Sequence, residues 1–156
     1  MIHEGTHGIQ AMDLLGRKVL MEGGRGLALL AGRMQATIEK AAKNLELKDH
    51  ASALGKALAQ VRAATQTAWA TGNPQHALAN AVPYMQAFGH TVLAWIWLDV
   101  ASTLQNQNTT NSVAARAGIQ GATAYFYAYE LPKITAWLEV VESRNLLCAN
   151  LPEEAF

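Results

Sequence analysis

The amino-acid sequence predicts an all-α protein: an antiparallel four-helix-type bundle of long helices behind a short N-terminal helix. Three observations predict it. Apolar residues recur at intervals of three, four and seven along several long segments, the spacing of one helix face. β-branched residues nowhere cluster with period-two alternation, so no strand pair is expected. Glycine, Asn-Pro and short polar stretches separate the periodic segments, which at about 20–33 residues would each span about 30–50 Å and fold back through short turns.

The first helix is expected from about Gly8 to Leu20. Thr6 is placed to cap it, with its hydroxyl accepting an early amide, and Ile9, Met12, Leu15 and Val19 follow at helical spacing. Gly23-Gly24 should stop it. A second helix is expected from about Arg25 to Leu47, with Leu27, Leu30, Met34, Ile38, Ala41 and Leu45 on one stripe. Glu39 and Lys43 form an (i, i+4) pair on its solvated face. Lys48-Asp49 reads as a turn with Asp49 as N-cap. Leu54, Leu58, Val61, Thr65 and Ala68 mark the buried face of the third helix, which ends at Thr71-Gly72.

Asn73-Pro74 pairs a capping side chain with proline at the first helical position, where its missing N–H costs nothing. The fourth helix runs from there towards Gln105, with Leu78, Val82, Met85, Val92, Ile96 and Val100 spaced as its stripe. Pro83 should kink it or mark its true start. Around Leu93 to Leu98 it is apolar all round, so cover on more than one side is expected. A polar loop from Gln105 to Ser112 leads to a fifth helix carrying Val113, Ala117, Ala124, Tyr127, Leu131, Ile134, Leu138 and Val141, interrupted at Pro132. Small residues (Ala36, Ala57, Ala114, Gly118, Gly121) permit close helix approach. The aromatic group Trp95, Trp97, Tyr125, Phe126, Tyr127 and Tyr129 reads as bundle core or subunit interface rather than a ligand box. Asp99 and Glu130, in apolar surroundings, call for a cap, a water or a partner such as Arg116 or Lys133.

The composition excludes several classes of function. Over 156 residues, 51% are apolar and 15% charged, too hydrophobic for disorder and enough chain for one substantial core. Twelve Lys+Arg balance twelve Asp+Glu, so no basic footprint points to nucleic acid or an anionic membrane. The apolar run Val92–Leu98 is far short of the ~20 residues a membrane span needs, and no signal peptide is visible. One cysteine, Cys148, cannot form an internal disulfide; a reducing, cytoplasmic setting is expected, and no nucleophile role.

Chemistry is concentrated in the first eighteen residues. His3-Glu4-Gly5-Thr6-His7 is a literal H-E-x-x-H, the zinc-hydrolase pattern. That pattern needs an established helix so that both histidines share one metal. Here Gly5 costs about 0.8–1 kcal/mol against Ala, His3 would sit in a frayed first turn, and Gln10 and Asp13 stand where the extended pattern calls for Gly and His. His50, His76 and His90 are scattered singly. No metal site is therefore expected. The same residues suit a glycine-flanked loop entering a helix, which holds the Glu4 carboxylate where a general base could work.

Residues 2–18 closely resemble the x-E-G-T-x-G-I-Q-A-x-D-L-x-G-R-K segment of flavin-dependent acyl-CoA dehydrogenases. Weaker likeness continues at Asn73–Tyr84 (N-P-x-x-A-L-A-N-A-x-P-Y), Gly89–Leu98 (G-x-x-x-L-A-W-x-W-L) and Tyr129–Leu138 (Y-E-L-P-K-x-x-A-W-L), and in the final Leu-Pro-Glu-Glu-Ala-Phe. Together these resemble the larger subfamily with an extra helical C-terminal domain, which includes 3-methylmercaptopropionyl-CoA dehydrogenase. The resemblance implies that Glu4 is the catalytic base for α,β-dehydrogenation of an acyl-CoA thioester, with Gly5, Thr6, Gly8 and Gln10 along the FAD-binding turn. His7 stands where Asn or Ser is commoner. It further implies residues 1–22 as the end of a catalytic domain, 23–147 as a helical C-terminal bundle and 148–156 as a tail. The family's other domains are missing from these residues. The chain is therefore expected to be a piece of a longer bacterial enzyme of fatty acid metabolism, without bound FAD or activity alone, and to act structurally in a homo-oligomer. A zinc hydrolase and a free-standing helical interaction module are the alternatives.

Overall fold

A computed structural model describes residues 6–106, 113–147 and 149–155. Its elements are α1 (His7–Asp13), a π-helical turn (Leu14–Lys18), α2 (Met21–Ala41), α3 (Lys48–Ala68), α4 (Pro74–Leu78), α5 (Ala81–Asn106), α6 (Val113–Tyr125), a second π turn (Phe126–Glu130), a 3₁₀ turn (Leu131–Lys133), α7 (Ile134–Ser143) and a terminal 3₁₀ turn (Glu153–Ala155). Among the described residues there is no strand. The fold is all-α, a bundle of α2, α3, α5 and the α6–α7 segment with α1 laid against it.

Cross-helix contacts fix the directions. Thr65, late in α3, meets Tyr84, early in α5, at 2.7 Å between hydroxyls, so these helices run antiparallel. The Tyr127 hydroxyl donates to the Ala94 carbonyl at 2.9 Å while His90 packs on Trp137 at 4.7 Å, an antiparallel pairing of α5 with the last helices. One continuous core unites Leu54, Val61, Tyr84, Leu98, Leu131 and Leu138 with Ala11, Leu15 and Val19 from the N-terminal segment. Burial pushes the Tyr84 hydroxyl up to about 12 and raises that of Tyr127 further.

Helix boundaries follow local chemistry. Glu22, Gly23 and Gly24 have φ of 50°, 65° and 87°, left-handed values that break α2 and leave its regular part to begin at Arg25. The expected second helix ends at Ala41 rather than Leu47, because Asn44 organises a turn: its side chain accepts from the Glu46 amide at 2.8 Å and its carbonyl from Lys48. Leu45 therefore leaves the stripe and is exposed. Asp49 lies inside the first turn of α3 instead of capping it. Lys43 falls beyond the helix end, and the Glu39 carboxylate accepts from Gln35 at 3.1 Å. Asn73 caps α4 as expected, accepting from Gln75 at 2.9 Å, and Pro83 stands in the first turn of α5, its true start.

Both π turns have identifiable causes. Pro132 cannot offer an amide to the Ala128 carbonyl; the Leu131 amide reaches back to Phe126 instead and the chain passes through a 3₁₀ turn into α7. At Gly16 an added Cβ would meet Leu78 at 3.2 Å, so the first π turn and α4 approach closely only because that side chain is absent.

The stripe expected for the fourth helix holds only in part: Leu78, Met85 and Val92 pack partly buried against the core, but the fully buried face of α5 is a different one. Ala81, Tyr84, Ala87, Thr91, Ala94, Leu98 and Ala101 are buried, whereas Val82, Ile96 and Val100 are exposed. Large apolar side chains identify the apolar face only when the opposite face is polar, and α5 has none. Trp95 and Trp97 both pack against the core, and the Trp95 indole donates to the Thr37 hydroxyl at 2.9 Å. Phe126 and Tyr127 are buried; Tyr125 and Tyr129 stack on each other at the surface, 5.0 Å apart. Of the small residues marked for close approach, only Ala57 is buried. Val113, Ala117, Gly118, Gly121 and Ala124 are exposed because α6 packs chiefly along α5 alone.

Candidate functional site

The N-terminal segment presents one face to the bundle and the other outward. Ala11, Leu15 and Val19 are buried against the core, while Thr6, His7, Ile9, Gln10 and Met12 are exposed. His3, Glu4 and Gly5 lie outside the described residues. Thr6 takes the N-cap position, but with a correction: its backbone is helical (φ −79°, ψ −12°) and its hydroxyl makes no capping bond. A side-chain cap needs an extended backbone at that residue; Thr6 instead contributes its carbonyl, which accepts from the Gln10 amide at 2.9 Å. A Cβ added at Gly8 would meet nothing within 4 Å, so that side stays open to close approach.

Three features hold this segment in place. Arg17 donates to Asp13 at 2.5 and 3.0 Å, and that pairing holds the Asp13 carboxyl below its usual range and raises Arg17. The π turn shifts the hydrogen-bond register: Val19 N–H bonds the Leu14 carbonyl and Leu20 N–H turns to Arg17, leaving the buried Leu15 carbonyl for the Trp69 indole at 3.1 Å. Phe88 and Leu27, together with Leu14, Val19, Lys18 and Arg25, line a groove of 520 Å³ just beyond the π turn. Sequence reasoning missed this groove. Its signal was Gly23-Gly24, since the left-handed turn there sets α2 beside the N-terminal segment.

A second hollow, of 610 Å³, lies between the 42–47 turn, the end of α5 and α6, lined by Leu45, Leu104 and Ile119 with Lys43 and Arg116. His50 stacks on Tyr127 at 4.5 Å, and burial lowers its pKa. Glu130 takes the Lys133 partner expected for it, at 2.7 Å, and lies 3.4 Å from His90; these contacts, Lys133 first, lower its carboxyl pKa. Asp99 lies 3.3 Å from the Thr37 hydroxyl rather than on Arg116 or Lys133. Among the described residues no three His, Cys, Asp or Glu side chains come together as a metal site, and no helix is long and apolar enough to cross a membrane. Cys148 lies outside the described residues.

The described part of the motif is thus an exposed, polar first turn on a firmly seated helix, and the comparisons decide what it belongs to. Residues 30–152 match the family described as Acetyl-CoA dehydrogenase C-terminal like. The chain belongs to this dehydrogenase C-terminal family. It is 29% identical over 99% of its length to the broad-specificity linear acyl-CoA dehydrogenase FadE5 of Mycobacterium tuberculosis. It is 37% identical over 60% of its length to the 3-methylmercaptopropionyl-CoA dehydrogenase of Ruegeria pomeroyi. These alignments cover 27% and 16% of the two relatives, so the chain spans about a quarter or less of their length. No solved structure matches it. The dehydrogenase resemblance read from the motifs and this family agree, and none of the matches supports the zinc reading.

Proposed function

We propose that this chain is the C-terminal part of an FAD-dependent acyl-CoA dehydrogenase, contributing a catalytic base at one end and a structural, oligomer-forming bundle over the rest. The observation that carries the proposal is the E-G-T-x-G-I-Q-A-x-D-L-x-G-R-K motif running directly into a domain of the dehydrogenase C-terminal family. In this reading residues 1–22 close the catalytic domain, 23–147 form the bundle and 148–156 the tail. The setting is cytoplasmic and the partner is an acyl-CoA thioester held mostly by domains outside this chain.

Glu4 removes the α-proton of the thioester onto its carboxylate. FAD, when bound, supplies the acceptor for the β-hydride. Thr6 and Gln10 fit such a neighbour, being exposed and able to hydrogen-bond, and Gly8, half-buried, has open space where a side chain would stand. Gly5, next to them in sequence, is the remaining residue of the proposed flavin-binding set. The job of α1 is positional, since Ala11, Leu15 and Val19 fix it to α5 and so fix the loop that carries Glu4.

The test begins with the DNA immediately before the Met1 codon, where in-frame dehydrogenase domains are expected. In the complete enzyme, Glu4→Gln should leave flavin bound and its absorbance unbleached by acyl-CoA, whereas the unsubstituted enzyme bleaches. Upstream DNA without dehydrogenase coding, bleaching by the Glu4→Gln enzyme, or stoichiometric zinc lost on His7→Ala would each overturn the proposal.

A further inference from the structure

Two side chains of the connection between α3 and α5 reach the π turn that follows α1. Trp69, the C-cap of α3, donates its indole N–H to the Leu15 carbonyl at 3.1 Å. Leu78, the last residue of α4, stands over Gly16, where an added Cβ would lie 3.2 Å from one of its methyls. Both side chains are half-buried against the same core as Leu15. The connection that carries them is built without help from the motif. The Trp69 carbonyl accepts from the Gly72 amide at 2.9 Å, Asn73 caps α4, and the Asn80 side chain donates to the Asn145 carbonyl at 3.0 Å. A seat held by its own bonds sets the position of what rests on it.

Glycine inside a helix lowers stability relative to alanine, and π turns collect at functional sites. Here the two occur together and serve one contact. The π turn frees the Leu15 carbonyl for the indole, and the missing side chain at Gly16 lets α4 close on the backbone. From Gly16 back to His7 the chain is helical throughout, about 14 Å at 1.5 Å per residue. A displacement of the π turn is therefore carried to the turn that bears Thr6, Gly8 and Gln10. In a reacting site a misplacement of about 1 Å costs about 100-fold in rate.

We infer that Trp69 and Leu78 are positioning residues for the proposed dehydrogenation: resting on Leu15 and Gly16, they set where Thr6, Gly8 and Gln10 stand beside the flavin. The inference rests on the dehydrogenase reading above and adds two residues from outside the motif. A side chain that only packs matters for melting. A positioning side chain also changes how fast bound acyl-CoA reacts, while its binding stays nearly as it was. The Gly16 contact allows the two roles to be separated. Valine at position 16 adds three carbons against Leu78 and alanine at position 78 removes three, so the pair of substitutions keeps the total volume, the change that packed cores tolerate best.

Two measurements test it. In the 156-residue chain, Gly16→Val should accelerate amide exchange over residues 7–13 by at least about 10-fold, and adding Leu78→Ala should bring exchange back to within about 3-fold. In the complete flavoenzyme, Gly16→Val should slow flavin bleaching at saturating acyl-CoA by at least about 10-fold, move the half-saturating acyl-CoA concentration by less than about 3-fold, and recover in the double variant. Leu78→Ala alone should slow bleaching too, so this variant and the double one decide the matter if Gly16→Val fails to fold. Leu138→Ala, an equal truncation at a buried site in α7, should lower the melting temperature without slowing bleaching per bound flavin. Rates unchanged by Gly16→Val, a double variant no faster than either single one, or equal slowing by Leu138→Ala would overturn the inference. The dehydrogenase reading would survive each of these as long as Glu4→Gln stays unbleached; a Glu4→Gln enzyme that bleaches would overturn both.

Discussion

Replacing Trp69 by phenylalanine tests whether the π turn after α1 seats the motif as described. The indole N–H donates to the Leu15 carbonyl at 3.1 Å. That carbonyl has lost its helical donor, since Val19 N–H bonds Leu14 and Leu20 N–H bonds Arg17. Leu15 is fully buried, so water cannot take the place of the indole without opening the helix. Phenylalanine keeps a ring against the core but leaves the carbonyl unsatisfied, at a cost of about 1–3 kcal/mol. The cost should be local, because α1 can escape it by lifting away while α3, α5 and α7 keep their own contacts. Converted at 1.36 kcal/mol per decade, amide exchange within residues 7–18 should accelerate about 5- to 160-fold, and amides at the centre of α5 should follow only the change in global stability. On the proposed role of Glu4 as base, the same substitution should slow α-proton removal in the complete dehydrogenase. Exchange that speeds up equally everywhere, or not at all near Leu15, would refute the idea that this one bond seats the segment.

Two further predictions concern the core and the turns. Tyr84 is neutral in the fold and its pKa is pushed up to about 12 by burial, against about 10 when unfolded. Its contribution is therefore complete below about pH 10 and is lost as pH climbs through about 12, a decline of about 2.7 kcal/mol at 1.36 kcal/mol per unit. Tyr84→Phe should cost about 0.5–1.5 kcal/mol at neutral pH, at the lower end because Thr65 still donates to the Val61 carbonyl at 2.7 Å. It should also flatten the alkaline decline seen in urea midpoints; an unchanged slope would mean that Tyr84 does not titrate in the fold. Glycine substitutions should divide by backbone conformation. Gly24→Ala, at φ +87°, should destabilise by about 1–2 kcal/mol, and Gly118→Ala, on the open face of α6 with nothing within 4 Å, should stabilise by up to about 1 kcal/mol. Thermal melting separates the two, and the same sign for both would refute the assignment.

Which parts of this molecule were legible in its sequence follows from how many signals agreed at each place. The face of α3 was readable because Leu54, Leu58, Val61, Thr65 and Ala68 are both helically spaced and backed by the polar residues Lys56, Gln60 and Arg62. Gly23-Gly24 and Asn73-Pro74 were readable because each residue type has one dominant backbone use. The end of α2 was not. Leu45 continues the apolar period four residues past Ala41, and only the Asn44 turn, a local side-chain bond, removes it. The π turns were invisible for a similar reason: they are set by where Trp69 and Pro132 meet the chain, and periodicity averages over them.

For the candidate site the sequence offers a chemical pattern, while His3, Glu4 and Gly5 lie outside the described residues. Glutamate beside glycine and threonine at a helix start carries a recognisable pattern, but its working distances involve groups outside this chain. The α5 error has a different origin. Period alone placed Val82, Ile96 and Val100 inward along with Met85 and Val92, which do pack against the core, because on a helix with almost no charges either face satisfies the same rule. Packing chose the face with alanines at 81, 87, 94 and 101, where small side chains let neighbouring backbones approach and larger residues such as Tyr84 and Leu98 fill the gaps. Val82, Ile96 and Val100 were left exposed on the other side.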